Sequence, residues 1–230
     1  MLPKELSNGI CSLNPQEDRL AFSCLCELDK QGNITDYKFA KTVIRSRVKG
    51  VYSEINSLLA GSDDAELKEK YADVSGQLPI IKELADILYK NKKNRGCPEL
   101  ETSESKLIIN DEDICVGVER RTRGRSEEII EDFMLVANEC AARFGMDNNL
   151  PFVYRIHEEP SDEKLESLRE ALVKLNVQYK LGEKACPGDM SEILKAAKGT
   201  DIDLIMNNIV LRSMSKARYS TEPVGHFGLA

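Results

Sequence analysis

Residues 19–27 carry Leu20, Ala21, Phe22, Cys24, Leu25 and Cys26 with few charges among them, the mark of a strand. Asp29-Lys30-Gln31-Gly32-Asn33 then supplies turn residues, and residues 34–48 resume with partial alternation, which predicts an antiparallel hairpin. Past Gly50 the apolar spacing lengthens to that of helices. Short helices are predicted over residues 51–60 and 64–72, and a longer one over 78–94, where Ile80, Leu84, Ile87 and Leu88 share a face. Gly96 and Pro98 end it. Residues 107–110 and 114–118 read as a second strand pair about the acidic turn Asp111-Glu112-Asp113.

Ser126 is placed to cap a long helix, with Glu127 and Glu128 in its first turn, where the helix dipole favours anions. Ile130, Phe133, Ala137, Cys140 and Phe144 line one side of it. Residues 152–156 predict a buried strand, and Pro160-Ser161-Asp162-Glu163 opens a helix with Leu165, Leu168, Leu172 and Leu175 inward. Two more helices are predicted over 190–197 and 201–218, the last with Ile202, Ile205, Met206 and Ile209 at core spacing. Residues 1–19, with turn signals at Ser7-Asn8-Gly9 and Asn14-Pro15, predict an irregular opening. Hairpins mix with helices and no linker interrupts them, so the expected fold class is α+β, with mixed strands and several packed helices. The apolar end Phe227-Gly228-Leu229-Ala230 lacks a closing turn and predicts an exposed apolar patch, as if the fold continued past it.

Composition narrows the function. With 41% hydrophobic and 31% charged residues the 230-residue chain is a folding sequence rather than a disordered one. No stretch approaches the ~18 consecutive apolar residues of a membrane span, and Met1-Leu2-Pro3-Lys4-Glu5 does not open a signal peptide, so the expected setting is cytoplasmic. A net charge of -7 argues against non-specific nucleic-acid binding, although a locally basic channel can sit on an acidic body. Seven scattered cysteines, an odd count, fit a reducing compartment. Cys24 and Cys26, two apart on a strand, face one side; His157 and His226 are far away in sequence, so buried thiols are favoured over metal ligands.

The chemical inventory is thin: no Gly-rich phosphate loop, no HExxH, no nucleophile elbow and no Cys/His cluster. Asp111-Glu112-Asp113 reads as a solvated turn, with divalent-cation binding as the sharper alternative. Arg120, Arg121, Arg123 and Arg125 read as an exposed strand end, with phosphate contact as the alternative. On the long helix Glu131 and Asn138, seven apart, share a face opposite Phe133 and Cys140, with Leu135 and Ala142 beside them. That face suits contact with a ribose or base; ordinary helix-surface polarity produces the same pattern.

Longer runs add a resemblance. Leu2-Pro3-Lys4-Glu5-Leu6-Ser7-Asn8-Gly9-Ile10-Cys11-Ser12-Leu13-Asn14-Pro15 followed by Asp18-Arg19-Leu20 resembles a segment of the ribonuclease R / exoribonuclease II family. So do Glu131-Asp132-Phe133-Met134-Leu135-Val136-Ala137-Asn138-Glu139 with Ala141-Ala142-Arg143-Phe144, and Arg155-Ile156-His157-Glu158. The run from Leu211-Arg212-Ser213-Met214 through Ala217-Arg218-Tyr219 to Gly225-His226-Phe227-Gly228-Leu229 is similar again, in the family's order along the whole chain.

The resemblance implies a 3′→5′ exoribonuclease that releases nucleoside monophosphates from single-stranded RNA, monomeric when intact, with Mg2+ held by an aspartate cluster and an arginine facing the phosphate. It places that cluster upstream of Met1 and the arginine motif beyond Ala230. Residues 1–230 are therefore expected to be a partial catalytic domain with no second domain, no catalytic residue, no metal ligand and no activity of its own. What it carries over is RNA handling. Tyr52, which follows Arg45-Ser46-Arg47, matches a tyrosine that selects RNA over DNA, and Glu131 matches its acidic partner near the terminal nucleotide. Leu100 stands where the family commonly has a base-stacking aromatic. Arg45, Arg47, Asn138 and His226 complete the candidate RNA contacts. The alternatives are a non-catalytic RNA-binding relative with a degenerate metal site, and an interaction module with no RNA role.

Overall fold

Strong local alternation and a well-formed turn make the first hairpin. In the computed structural model, which describes residues 2–100, 104–121 and 123–230, β1 (Asp18–Leu28) pairs antiparallel with β2 (Ile34–Arg45). The Asp29 carboxylate closes the turn, accepting backbone N–H bonds from Gln31 and Asn33 at 2.8 Å each. Gly32 takes the left-handed conformation there, φ 81°, which costs a glycine nothing. β2 stops at Arg45, short of the predicted end, because Ser46 bridges to Pro15 and the Arg47 carbonyl accepts from the Gln16 side chain at 2.6 Å. Residues 5–10, predicted irregular, instead form a short π-helical segment.

The described residues fall into two compact units, the first comprising Met1–Tyr89 and Arg123–Ala141. Besides the hairpin it holds α1 (Tyr52–Leu59), α2 (Ala65–Lys70), the start of α3 (Leu78–Asn94) and most of α4 (Arg125–Asp147). Asp64 caps α2, its carboxylate accepting from the Glu66 and Leu67 amides at 2.9 and 3.2 Å. Helix α4 begins at Arg125, so Ser126 is not its cap. Sitting inside the first turn, Ser126 directs its hydroxyl hydrogen toward the Tyr52 carbonyl and the Glu127 carboxylate, each 3.0 Å away. Cys140, fully buried on α4, lies 3.7 Å from Cys26, sulfur to sulfur, and Cys24 also faces it, as the strand spacing implies. Burial, with the two neighbouring thiols, pushes the Cys140 thiol up to about 12, so it stays protonated and uncharged.

The second unit comprises Lys90–Thr122 and Ala142–Ala230. Its hairpin pairs β3 (Glu104–Ile109) with β4 (Cys115–Arg121), and the Asn110 side chain accepts from the Glu112 and Ile114 amides across the turn. Asp111, Glu112 and Asp113 are all exposed there. The side chains of Arg120 and Arg121 lie outside the described residues. β5 (Tyr154–Ile156) pairs with β6 (Arg218–Ser220), and α5 (Asp162–Lys174), α6 (Pro187–Ala197) and α7 (Asp203–Ser213) enclose a core of Leu165, Leu168, Leu172, Met190, Ile193 and Met206.

Three expectations change in this unit. The predicted helix over 201–218 stops at Ser213, since Met214 is already extended and residues 218–220 are needed to pair with β5. Ile205, placed at core spacing by the sequence, is half exposed, while its neighbour Met206 is fully buried. Phe227 does not contribute to an exposed apolar end: a single 3-10 turn (Phe227–Leu229) folds it into the core, 7% exposed. Exposed apolar side chains occur on the hairpins, at Leu20, Phe22, Val43, Leu107 and Val118, in the opening segment at Leu2 and Ile10, and on helices at Ile80, Val173 and Leu204. No helix among the described residues is long and apolar enough to cross a membrane.

Candidate functional site

Tyr52 is the first residue of α1, and its side chain is 46% exposed, so it is not a core aromatic. Its backbone is held from two directions. On one side the preceding amide, Val51 N–H, donates to the Tyr71 hydroxyl at 3.1 Å, and Tyr71, 1% exposed, donates in turn to Glu54 of α1. Lys70 donates to the same carboxylate at 2.6 Å; that bond first, and the Tyr71 hydroxyl second, hold Glu54 below the usual carboxylate range. On the other side the Ser126 hydroxyl donates to the Tyr52 carbonyl at 3.0 Å.

The same junction carries a second set of bonds. Asn56, one turn along α1, accepts the Ser126 amide at 2.8 Å and donates to Glu127 at 3.0 Å. Glu127 also accepts from the Gly124 amide at 3.2 Å and lies 3.0 Å from the Ser126 hydroxyl, whose one hydrogen is shared between it and the Tyr52 carbonyl. Burial alone would raise its carboxyl, but these donors, Asn56 foremost, bring it below the ordinary range. Glu131 stands one turn further along the same face of α4, at i+4 from Glu127, and Asn138 two turns beyond that. Both are exposed. Arg123 lies 3.4 Å from Glu131, in a solvent-facing pair.

The basic candidates are at the hairpin's open end. Arg45, the last residue of β2, pairs with Asp18 at 2.7 Å across the strands, both half or more exposed. Arg47 is exposed in the loop toward α1 rather than on the strand. Tyr52, Arg45, Arg47, Glu131 and Asn138 thus belong to one unit. An exposed ring on a fixed backbone can stack on a base, and a solvated carboxylate can accept from a ribose 2′-hydroxyl. Asn56 and Glu127 carry no local sequence signal for these bonds, and Ser126-Glu127 at a helix start has the pattern of a cap.

Leu100 and His226 belong to the second unit. Leu100 is partly buried against that unit's core. His226 bridges backbone to backbone with His157, and the rings meet edge to face with centroids 5.0 Å apart. His157, 8% exposed, accepts the Gly228 amide on Nδ1 at 3.1 Å, which assigns its proton to Nε2. Desolvation lowers both imidazoles from their usual value, helped at His226 by its neighbour His157.

Protonating His157 at Nδ1 would set one N–H against another. An unfolded chain takes up protons below pH ~6.5, its reference imidazole value, before the folded chain does. Stability is therefore expected to be complete above that point and to fall as the pH drops below it. His157→Asn, which keeps an acceptor for Gly228 and does not titrate, should flatten that slope in urea melts. An unchanged slope would remove His157 as its source.

Among the described residues no three His, Cys, Asp or Glu side chains gather to hold a metal ion. The described residues therefore do not fit a magnesium centre.

Comparison with known proteins agrees along the full length. The RNB domain family model matches residues 1–230. The chain is 38% identical to ribonuclease R 1 of Lactococcus lactis over 234 residues and 37% identical to ribonuclease R of Escherichia coli over 230, covering 100% of the chain and 28% of each relative. It thus spans little more than a quarter of the curated relatives it matches. The apo form of Mycoplasma genitalium RNase R superimposes with a TM-score of 0.90 at 28% identity, over 99% of this chain and 35% of that one; the same enzyme in complex with ribose-methylated single-stranded RNA and with double-stranded RNA matches as well. This mixed assembly of helices and small antiparallel sheets belongs to the RNB domain family.

Proposed function

We propose that the intact protein is a 3′→5′ exoribonuclease that releases nucleoside monophosphates from single-stranded RNA with magnesium, and that this segment supplies recognition of the nucleotide near the 3′ end. The observation that carries the segment's role is the exposed ring of Tyr52, whose backbone carbonyl is bonded to the first turn of α4, the helix that bears Glu131. Similarity along the whole of this chain to part of proteins named ribonuclease R supports the activity, and the RNA complexes of the Mycoplasma enzyme support RNA as the ligand. Arg45 and Arg47 offer cations to the phosphates in spite of the net charge of -7, and the Arg45–Asp18 pair is solvated enough to open for one. On its own the chain is expected to bind RNA without hydrolysing it, since its described residues gather no metal-binding set.

Tyr52→Ala tests the reading. Losing one base–aromatic stack should weaken binding of an RNA oligomer by ~1–3 kcal/mol and that of the matched DNA oligomer by less. Because the ring is half exposed, the melting curve should move little. Glu131→Ala should act in the same direction, and the double variant should fall short of the sum if both residues meet one nucleotide. Equal losses on RNA and DNA, together with a lowered melting temperature, would assign Tyr52 a structural role instead.

A further inference from the structure

We propose that Asn56, Ser126 and Glu127 form a positioning latch that holds Tyr52 in register with Glu131, and that RNA-over-DNA discrimination depends on it. The proposal rests on the reading of Tyr52 and Glu131 given above. Val51, the residue before α1, has no side-chain cap; Tyr71 braces that start from one side, through the Val51 amide and Glu54, and leaves the side toward α4 to another partner. The latch supplies that partner from the first turn of α4. Ser126 is 5% exposed and donates twice, by hydroxyl to the Tyr52 carbonyl and by amide to Asn56. The Asn56 side chain uses both ends, its oxygen accepting from Ser126 and its nitrogen donating to Glu127. An amide is the group that fits between an N–H donor and a carboxylate acceptor; aspartate would leave the carboxylate without its bond, and leucine would leave both groups without theirs.

Two further facts make the latch specific. Glu127 and Glu131 are one helical turn apart on one face, so the carboxylate that grips α1 sets where Tyr52 lies along the row that holds Glu131. Gly124 gives Asn56 its space: a Cβ there would stand 2.0 Å from Asn56 Nδ2 and 2.5 Å from its Cγ. The Asn56 amide therefore lies directly over the backbone that leads into α4. The Tyr52 ring takes no part in these bonds, so the latch acts on recognition only through where it puts that ring.

The chain contains no tryptophan, which provides a direct test. Tyr52→Trp places a single fluorophore at the position in question. In that background Asn56→Ala should lower the steady-state anisotropy and increase acrylamide quenching of the tryptophan, whereas Glu127→Gln, which keeps an acceptor for Asn56, should change both far less. In the tyrosine background Asn56→Ala should cut the ratio of RNA to DNA affinity by about fivefold or more, the size of one weak stack, measured on matched single-stranded oligomers. Added to Tyr52→Ala it should cut that ratio no further. Ser126→Ala repeats the test by removing the hydroxyl alone, should Asn56→Ala prove poorly folded by circular dichroism. Unchanged anisotropy and quenching in both latch variants would overturn the proposal. So would equal losses on RNA and DNA, or a lost ratio that still adds to that of Tyr52→Ala. A tryptophan released by Asn56→Ala, in a protein whose affinity ratio Tyr52→Ala does not move, would sustain the mechanical latch and overturn its role in discrimination, and with it the reading of Tyr52.

Discussion

Gly96→Ala is expected to destabilise the second unit by about 2–5 kcal/mol, the sum of a left-handed backbone imposed on alanine (~1–2) and an overpacked contact (~1–3). Gly96 ends α3 at φ 89°, with its amide donating to the Lys93 carbonyl and the Cys97 amide to Lys92, the bond pattern that closes a helix through a left-handed residue. A Cβ at Gly96 would also stand 2.8 Å from Gly188 Cα, at the start of α6. Backbone cannot swing aside as a side-chain end does. Gly199→Ala separates the two costs, because Gly199 has φ 74° but nothing within 4 Å of the added carbon. Urea melts of the two variants should differ by the overpacking share alone. Equal midpoints would mean that the Gly96–Gly188 contact yields without cost.

Ile193→Ala should cost about 2–5 kcal/mol, the range for truncating a buried aliphatic side chain whose surroundings relax only in part. Ile193 is completely buried on α6, in the cluster that includes Met190, Met206 and Val210. Val173→Ala is the matched control: on α5 but 81% exposed, it should stay within about 0.5 kcal/mol of the parent chain. A loss at position 193 no larger than that at 173 would show that the core closes over the gap.

Much of the candidate site was legible one residue at a time and almost none of it as an arrangement. Tyr52, Glu131 and the arginines were named from resemblance, and the shared face of Glu131 and Asn138 follows from helical spacing. Whether Tyr52 was a core aromatic or a presented one could not be read, because a short helix with a tyrosine at its first position is compatible with both. Exposure decided it. The latch was invisible for another reason. Asn56 and Ser126 are seventy residues apart, and each has an ordinary local explanation, a polar helix position and a helix cap.

The sequence by itself determined the local elements whose causes lie within a few residues. The first hairpin needed only alternation and Asp29 through Asn33; the extent of α3 needed only helical spacing and Gly96, although Ile80, placed on its apolar face by that spacing, is exposed while Ala85 and Leu88 are buried; the acidic turn needed only Asn110 and its neighbours. The tertiary structure alone decided where distant partners compete with local preference. Ser126 falls inside the first turn of α4 rather than at its cap, and its hydroxyl meets the carbonyl of Tyr52 from a distant segment. Helix α7 gave up residues 218–220 because β5 had backbone groups to satisfy. Phe227 turned inward because a core built from α5, α6 and α7 offered it burial that no neighbour in sequence could. The interleaving of the two units has the same origin: periodicity encodes which face of an element is apolar, and carries no information about which other apolar face will cover it.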